Sequence, residues 1–250
     1  MAELRLIEDK FPDDPALDVA ISRALLERVA EGELPETLRL GRPSAWIAFG
    51  RRDALSPGYP GAVRRAGEAG FGAALRLAGG RATAFHQGTI AIAHAFPEGD
   101  ARSGIHDRFR EAADLVAAAV QSLGVDARVG EVPGEYCPGG YSVNAGGRVK
   151  LAGIGQRLIK GAAHVGAVVV AERADRIRDA LVPVYDELGL DWDPRTAGDV
   201  AGEAPHAGLE EVLAAIRAGY ERRYELVETR LDEETLARAH RLAPEHRPPV

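Results

Sequence analysis

The only cysteine of the chain, Cys137, stands in the run Gly134-Glu135-Tyr136-Cys137-Pro138-Gly139-Gly140-Tyr141-Ser142, and Lys150 follows in Val149-Lys150-Leu151-Ala152-Gly153. A lone cysteine in a reducing compartment is either a small buried hydrophobe or a reactive thiol. Cys137 precedes a proline, which biases its backbone towards extended conformations. It also lies in a Pro-Gly-Gly loop rather than inside an apolar strand or helix, and such loops present functional side chains. A thiolate there can accept an acyl group and pass it on, splitting one hard transfer into two easier ones. Lysine is scarce: of 31 basic residues only Lys10, Lys150 and Lys160 are lysine. An ammonium is compact and its pKa can be tuned, whereas a guanidinium is planar and stays charged. A chain that writes Arg almost everywhere but keeps Lys150 is read as needing an ammonium there, unless its three lysines survive by chance. Beside an acyl carbonyl an ammonium would stabilise developing oxyanion charge, an effect worth about 10²–10³-fold.

A second segment with chemical potential is Arg76-Leu77-Ala78-Gly79-Gly80-Arg81, leading to Phe85-His86-Gln87-Gly88. Paired glycines let a backbone approach a ligand or adopt positive φ, although the spacing fits neither a P-loop nor a dinucleotide fingerprint. His86 is a candidate for proton transfer or a packing residue. His94, His106 and His164 are scattered without zinc-ligand spacing, and His164, near the strand end at Lys160, reads as structural. Tyr136 and Tyr141 are either walls of a channel or core residues. Arg157 and Lys160 add positive charge that is either a docking patch or a solvated strand end.

The elements that must position these groups can be read from periodicity. Asp14-Pro15 is a helix start, with Asp as cap and Pro at the first helical position, and Leu17, Ile21, Leu25 and Val29 continue it at helical spacing. Residues 44–50 and 88–96 read as strands, the second alternating Ile90, Ile92 and His94 with alanines. Ile105, Phe109, Val116, Val120 and Leu123 mark an amphipathic helix stopped by Gly124. Around residues 141–171 two strands flank a two-residue turn at Gly146-Gly147, followed by a strand over 165–170. Helices near 174–188, with Pro183 as a potential kink, and 208–224 follow, then a short one around 232–240, and the tail from Pro244 should fray. A two-residue turn puts Val143 opposite Lys150, with Cys137 six residues further back. Fully extended chain would leave it ~20 Å away at about 3.3 Å per residue, so the Pro138-Gly139-Gly140 bend must fold it back. Strands clustered around a hairpin, with helices before and after, indicate an α+β fold.

The bulk properties narrow the function. At 250 residues, 46% hydrophobic and 28% charged, the chain reads as an ordinary globular protein with no repeat or linker. A net charge of −7 excludes a global field for nucleic acid. No apolar run approaches the ~20 residues of a membrane helix, and the acidic start MAELRLIEDKFPDD lacks a signal-peptide pattern. The expected location is the cytoplasm.

The order Arg-x-x-Gly-Gly, strand, cysteine loop, then Lys150-Leu151-Ala152-Gly153-Ile154-Gly155-Gln156-Arg157 resembles the biotin and lipoate protein ligase superfamily. Within it, the likeness is to octanoyltransferases that carry a Cys-Pro-Gly segment ahead of a Lys-x-Ala-Gly-x-x-Gln-Arg strand. The resemblance spans roughly residues 10–190. It implies a central mixed, largely antiparallel β-sheet flanked by helices, in a single catalytic domain over 1–250 with a C-terminal helical segment at about 205–242. It implies Cys137 as the acyl-accepting residue, Lys150 as the family's lysine, and Arg76, Gly79 and Gly80 as the loop lining the acyl pocket. His86, Tyr141 and Gly153 complete the substrate-binding candidates. The implied activity moves octanoyl or lipoyl from a carrier, the H protein or acyl carrier protein, to lipoyl domains of 2-oxoacid dehydrogenases without a cofactor. The alternatives are a ligase requiring ATP and magnesium, and a non-catalytic carrier-binding domain. Where the ligases show a third glycine and then a histidine, this chain has Arg81 and Phe85, with His86 one place late. Those departures favour thioester chemistry over adenylation.

Overall fold

The computed structural model describes residues 1–9, 11–99 and 104–249, so Lys10 and Val250 lie outside the described residues. The chain begins with β1 (Ala2–Ile7), α1 (Pro15–Ala30), β2 (Thr37–Gly41) and β3 (Trp46–Phe49), then α2 (Arg51–Ala54), α3 (Tyr59–Glu68), β4 (Gly72–Leu75) and β5 (Thr83–Phe85). It continues through β6 (Thr89–Glu98), α4 (Ile105–Gln121), β7 (Ala127–Val129), β8 (Val143–Ala145), β9 (Val149–Ile159) and β10 (Gly161–Val170). After α5 (Ala174–Leu188), α6 (Val200–Glu203) and α7 (Leu209–Glu221) it closes with β11 (Tyr224–Thr229) and α8 (Glu233–Leu242).

Among the described residues the strands form an eight-stranded sheet, β11-β1-β2-β6-β10-β9-β8-β7, and a three-stranded one, β4-β3-β5. In the large sheet β1 runs parallel to both β11 and β2, and the remaining neighbours are antiparallel. The expected α+β class, with a mixed and largely antiparallel sheet flanked by helices, is what is found. One face of the large sheet, carrying Leu38, Leu40, Ile90 and Val169, packs under α4 and α7. Its other face meets α1 through Ile7, Ala95 and Ala162. The small sheet packs through Ile47, Phe49 and Ala84 against α3 and α5.

Local chemistry accounts for several boundaries. The Asp14 carboxylate accepts from the amides of Ala16 and Leu17 and starts α1 as anticipated. Asp232 caps α8 in the same way through Thr235 N. Helix α5 runs on across Pro183 and ends at Gly189 in the left-handed conformation.

Three expectations are corrected. The segment after α7 is the strand β11, paired parallel with β1, so the C-terminal part is not purely helical. The tail does not simply fray: Ala243–His246 form a 3₁₀ turn, and His246 is buried with Nδ1 hydrogen-bonded to Leu75 O at 2.9 Å. The hairpin at Gly146-Gly147 does turn where expected, both glycines having positive φ and Arg148 N donating to Ala145 O. The pairing beyond it is shifted: Ala145 faces Val149, Asn144 faces Lys150, and an irregularity places Val143 opposite Ala152. Asn144 holds this arrangement, its Oδ1 accepting from Gly147 N and its Nδ2 donating to Gly130 O.

Candidate active site

A cavity of about 480 Å³ lies between the large sheet and the small one. Its floor is a trough made by missing side chains. Gly155 pairs with Gly166 and Gly166 with Ala93, while Val168 pairs with both Gly153 and Ala91, so these residues share one face of β9, β10 and β6. The alternation of isoleucine and alanine in β6 thus has two consequences: the isoleucines fill the core and the alanines leave space for a ligand. Walls come from Val19 of α1, the stacked rings of Trp46 and Phe85 at 4.7 Å, and Phe109 stacked on Tyr141 at 5.1 Å. On the α1 side the border is polar. Asp18 and Ser22 stand there, held by the buried Arg39, whose Nη1 meets Asp18 Oδ1 at 3.0 Å and donates to Ser22 Oγ at 3.1 Å.

Seven of the eight sequence-derived candidates meet at this cavity: Cys137, Lys150, Arg76, Gly79, Gly80, Tyr141 and Gly153 all line it. The Cys137 sulfur accepts from Arg81 N at 3.2 Å and from Arg76 Nη1 at 3.7 Å. Gly80 allows that approach. Its φ is +118°, and a Cβ there would stand 2.9 Å from both Cys137 Sγ and Arg76 Nη1. The glycine loop and the cysteine loop therefore close on each other at the sulfur, leaving a half-buried thiol beside an apolar cavity with two N–H donors directed at it. Such an arrangement stabilises negative charge on sulfur or on an oxygen bonded next to it.

The backbone of Cys137 is not extended. Its φ is +43°, in the left-handed region that costs a non-glycine residue about 1–2 kcal/mol. The pre-proline preference is overridden because both flanking peptide groups are clamped. Cys137 N donates to Tyr185 Oη at 2.8 Å, and Tyr185 Oη donates on to Ala82 O at 2.9 Å. Cys137 O accepts from Lys150 Nζ at 2.9 Å.

Lys150 spends its other two N–H bonds on Tyr136 O at 3.0 Å and Glu135 Oε1 at 2.9 Å. Lysine and glutamate are both buried, with side chains 1% and 0% exposed. Glu135 also accepts from Ser142 Oγ at 2.6 Å, Gly139 N at 3.2 Å and Val132 N at 3.0 Å. One carboxylate thus ties both ends of the cysteine loop to the strand that carries Lys150.

His86 is a correction. It lies in the turn between β5 and β6, 1% exposed, and lines neither this cavity nor the neighbouring one. Its Nδ1 accepts from Gly88 N at 2.9 Å. Burial, helped by Arg176 and Arg173, pushes its pKa down to about 4, so a neutral ring packs there. His164 differs in the opposite sense: it lines the cavity, buried, with burial pushing its pKa to about 4 as well. Tyr136 belongs to the core against Trp192 and Lys150 rather than to the cavity wall.

Glu135, Tyr185 and Asp53 were not singled out by sequence reasoning. Asp53, fully buried, accepts from Gly50 N and holds Arg81 Nη1 at 3.1 Å, fixing the residue whose amide meets the sulfur. Glu135 had a signal, because a buried lysine in an apolar strand requires a counter-charge.

This architecture is that of the lipoate-protein ligases. The fold superposes on a lipoate-protein ligase A bound with ATP at a TM-score of 0.78, with 19% identity over 97% of this chain and 95% of the other. It superposes on the bipartite lipoate protein ligase of Thermoplasma acidophilum at 0.76, with 18% identity over 98% and 93%. The chain belongs to the lipoyl protein ligase A/B catalytic domain family, whose profile matches residues 14–187. It is similar to the octanoyl-[GcvH]:protein N-octanoyltransferases of Bacillus velezensis, 33% identical over 80% of this chain and 70% of the relative, and of Geobacillus kaustophilus, 29% identical over 70% and 62%. The matched region thus spans about two thirds of the length of these relatives. Among the described residues no helix is long and apolar enough to cross a membrane.

Proposed function

We propose that the chain is a cysteine-dependent octanoyltransferase of the cytoplasm. It would take octanoyl, or lipoyl, from a lysine amide of the H protein and deliver it to a lysine of lipoyl domains of 2-oxoacid dehydrogenases. The observation that carries this reading is the Cys137 sulfur at the edge of an apolar cavity, with Arg81 N and Arg76 Nη1 as its donors. The relatives' names supply the donor, GcvH being the H protein. In the first half-reaction the sulfur attacks the amide carbonyl carbon. The C–N bond breaks, and the thiol proton leaves with the donor's lysine amine. In the second half the acceptor amine attacks the thioester, the C–S bond breaks, and a proton returns to sulfur. Atoms balance without ATP, magnesium or another cofactor, and covalent capture divides one difficult exchange into two steps.

Intact-mass measurement after mixing with octanoylated H protein, without nucleotide, tests the reading. One octanoyl group is expected on the wild type and none on Cys137→Ala. Equal labelling of the alanine variant would overturn the cysteine route, whereas labelling of acceptor only with free octanoate, ATP and magnesium would establish ligase chemistry instead. Faster loading from octanoyl-acyl carrier protein would change the donor and leave the cysteine route standing.

A further inference from the structure

A second cavity of about 760 Å³ opens on the outer side of the glycine loop and shares Arg76, Gly79, Gly80 and Pro138 with the first. Five arginines line it: Arg51, Arg52, Arg76, Arg81 and Arg157. Among the described residues no carboxylate lines it. The nearest one tied to these guanidiniums is the buried Asp53, which pairs with Arg81. Among the described residues Arg51, Arg52, Arg76 and Arg157 form no ion pair, whereas Arg23, Arg28, Arg65, Arg217 and Arg238 each pair with carboxylates elsewhere on the molecule. Among the described residues the buried Arg157 Nε has no hydrogen-bond partner. Positive charge is therefore left unneutralised beside the cysteine on a chain whose net charge is −7.

Unpaired, mutually repelling guanidiniums around a groove are stabilised by an incoming anion. Arg51 and Arg52 are exposed at the start of α2, whereas Arg157 stands on β9 across the glycine loop. Cations on long stems, spread over two elements around so wide a groove, match carboxylates distributed over a folded surface better than one compact phosphate. We propose that this groove is the docking surface for an acidic face of the acyl-carrying protein, placing its acyl-lysine at the Cys137 mouth. The assignment rests on the transferase reading and adds the surface and the residues. Steering of this kind raises association rates by about 10–10³-fold and weakens with salt.

Two measurements test it. The first is binding of octanoylated H protein to the Cys137→Ala enzyme, with and without Arg51→Glu/Arg52→Glu and, separately, Arg157→Gln. The double charge reversal should weaken binding about 10-fold or more at low salt and flatten the salt dependence. The second is loading of Cys137 from a small octanoyl thioester, which bypasses docking and should change less than about 2-fold in the same variants. Unchanged carrier binding overturns the docking surface, even if the transferase reading holds. Equal loss with both donors also overturns it and assigns the arginines to the reaction centre. Competition by inorganic phosphate or ATP at constant ionic strength would make the groove a phosphate site instead. Failure of wild-type Cys137 to load from either donor defeats the transferase reading, and the binding measurement still decides the surface.

Discussion

Lys150 meets Cys137 at the main-chain carbonyl oxygen, 2.9 Å from Nζ, while the donors to the sulfur are Arg81 N and Arg76 Nη1. The lysine's three hydrogen bonds are taken by Glu135, Tyr136 and Cys137. Its contribution in this state is to hold the cysteine loop in a left-handed conformation that the loop would not keep alone. The charge at the sulfur comes from arginine.

Removing Lys150 should therefore act on the loop and on stability together. Lys150→Ala leaves Glu135 buried without its partner, a change that costs about 3–5 kcal/mol, and acyl loading of Cys137 should fall by about 10²-fold because the loop no longer holds the sulfur in place. Lys150→Met combined with Glu135→Gln removes both charges and should regain most of the stability while still loading slowly. Wild-type loading by that double variant would reduce Lys150 to a neutraliser of Glu135.

Tyr185 should be felt at the same loop from the other side. Tyr185→Phe deletes the hydroxyl that joins Cys137 N to Ala82 O. Leaving such groups unsatisfied costs about 1–3 kcal/mol. The expected result is a lower denaturant midpoint and slower loading from any octanoyl donor. A variant that loses stability but loads at the wild-type rate would show that the clamp at Lys150 suffices.

Much of this site was legible in the residues. The alternation of Ile90 and Ile92 with alanines marked a strand, whereas the empty face that its alanines share with the glycines of the Lys150 strand emerged only from the strand pairing. The strand β1 was missed, although Glu3-Leu4-Arg5-Leu6 alternates with the period of two that signals a strand. Strand β11 was not, because an edge strand with half-exposed residues carries little pattern. Tyr185 could not be read either. It reaches Cys137 across 48 residues through the packing of α5, and no local rule reports such a meeting. The Cys137 backbone went against its local rule because two tertiary hydrogen bonds outweigh a pre-proline preference of the same order.

The trough should set acyl length. Gly166 does not have positive φ, and a Cβ on it would lie 3.0 Å from His164 Cε1. Gly166→Val fills the floor between Gly155 and Ala93 without a backbone penalty. Preference measured as kcat/KM should move from octanoyl towards butyryl or hexanoyl carriers by about 10-fold, the scale of one or two methylenes in an apolar pocket. An unchanged octanoyl preference would place the chain elsewhere than over this trough.

Acid should destabilise the protein before its carboxylates titrate. His86 and His164 have pKa values pushed down to about 4 by burial, against an ordinary value of 6.5. Between these values the unfolded chain binds protons that the folded chain refuses, so unfolding takes up protons and stability falls as pH falls. The stability these neutral rings preserve is intact above about pH 7, declines from 6.5 towards 4, and levels off for these groups below 4. Denaturant unfolding at pH 5 should show uptake of about two protons from this pair. His164→Leu should remove about one of them, and His86→Leu about one more, if each folds. Octanoylated Cys137 enzyme should retain the same slope, because His86 lies away from the cavity and an apolar chain cannot protonate His164. A slope unaltered by both substitutions would mean that these histidines are protonated in the folded protein near pH 5, and the burial argument would be wrong.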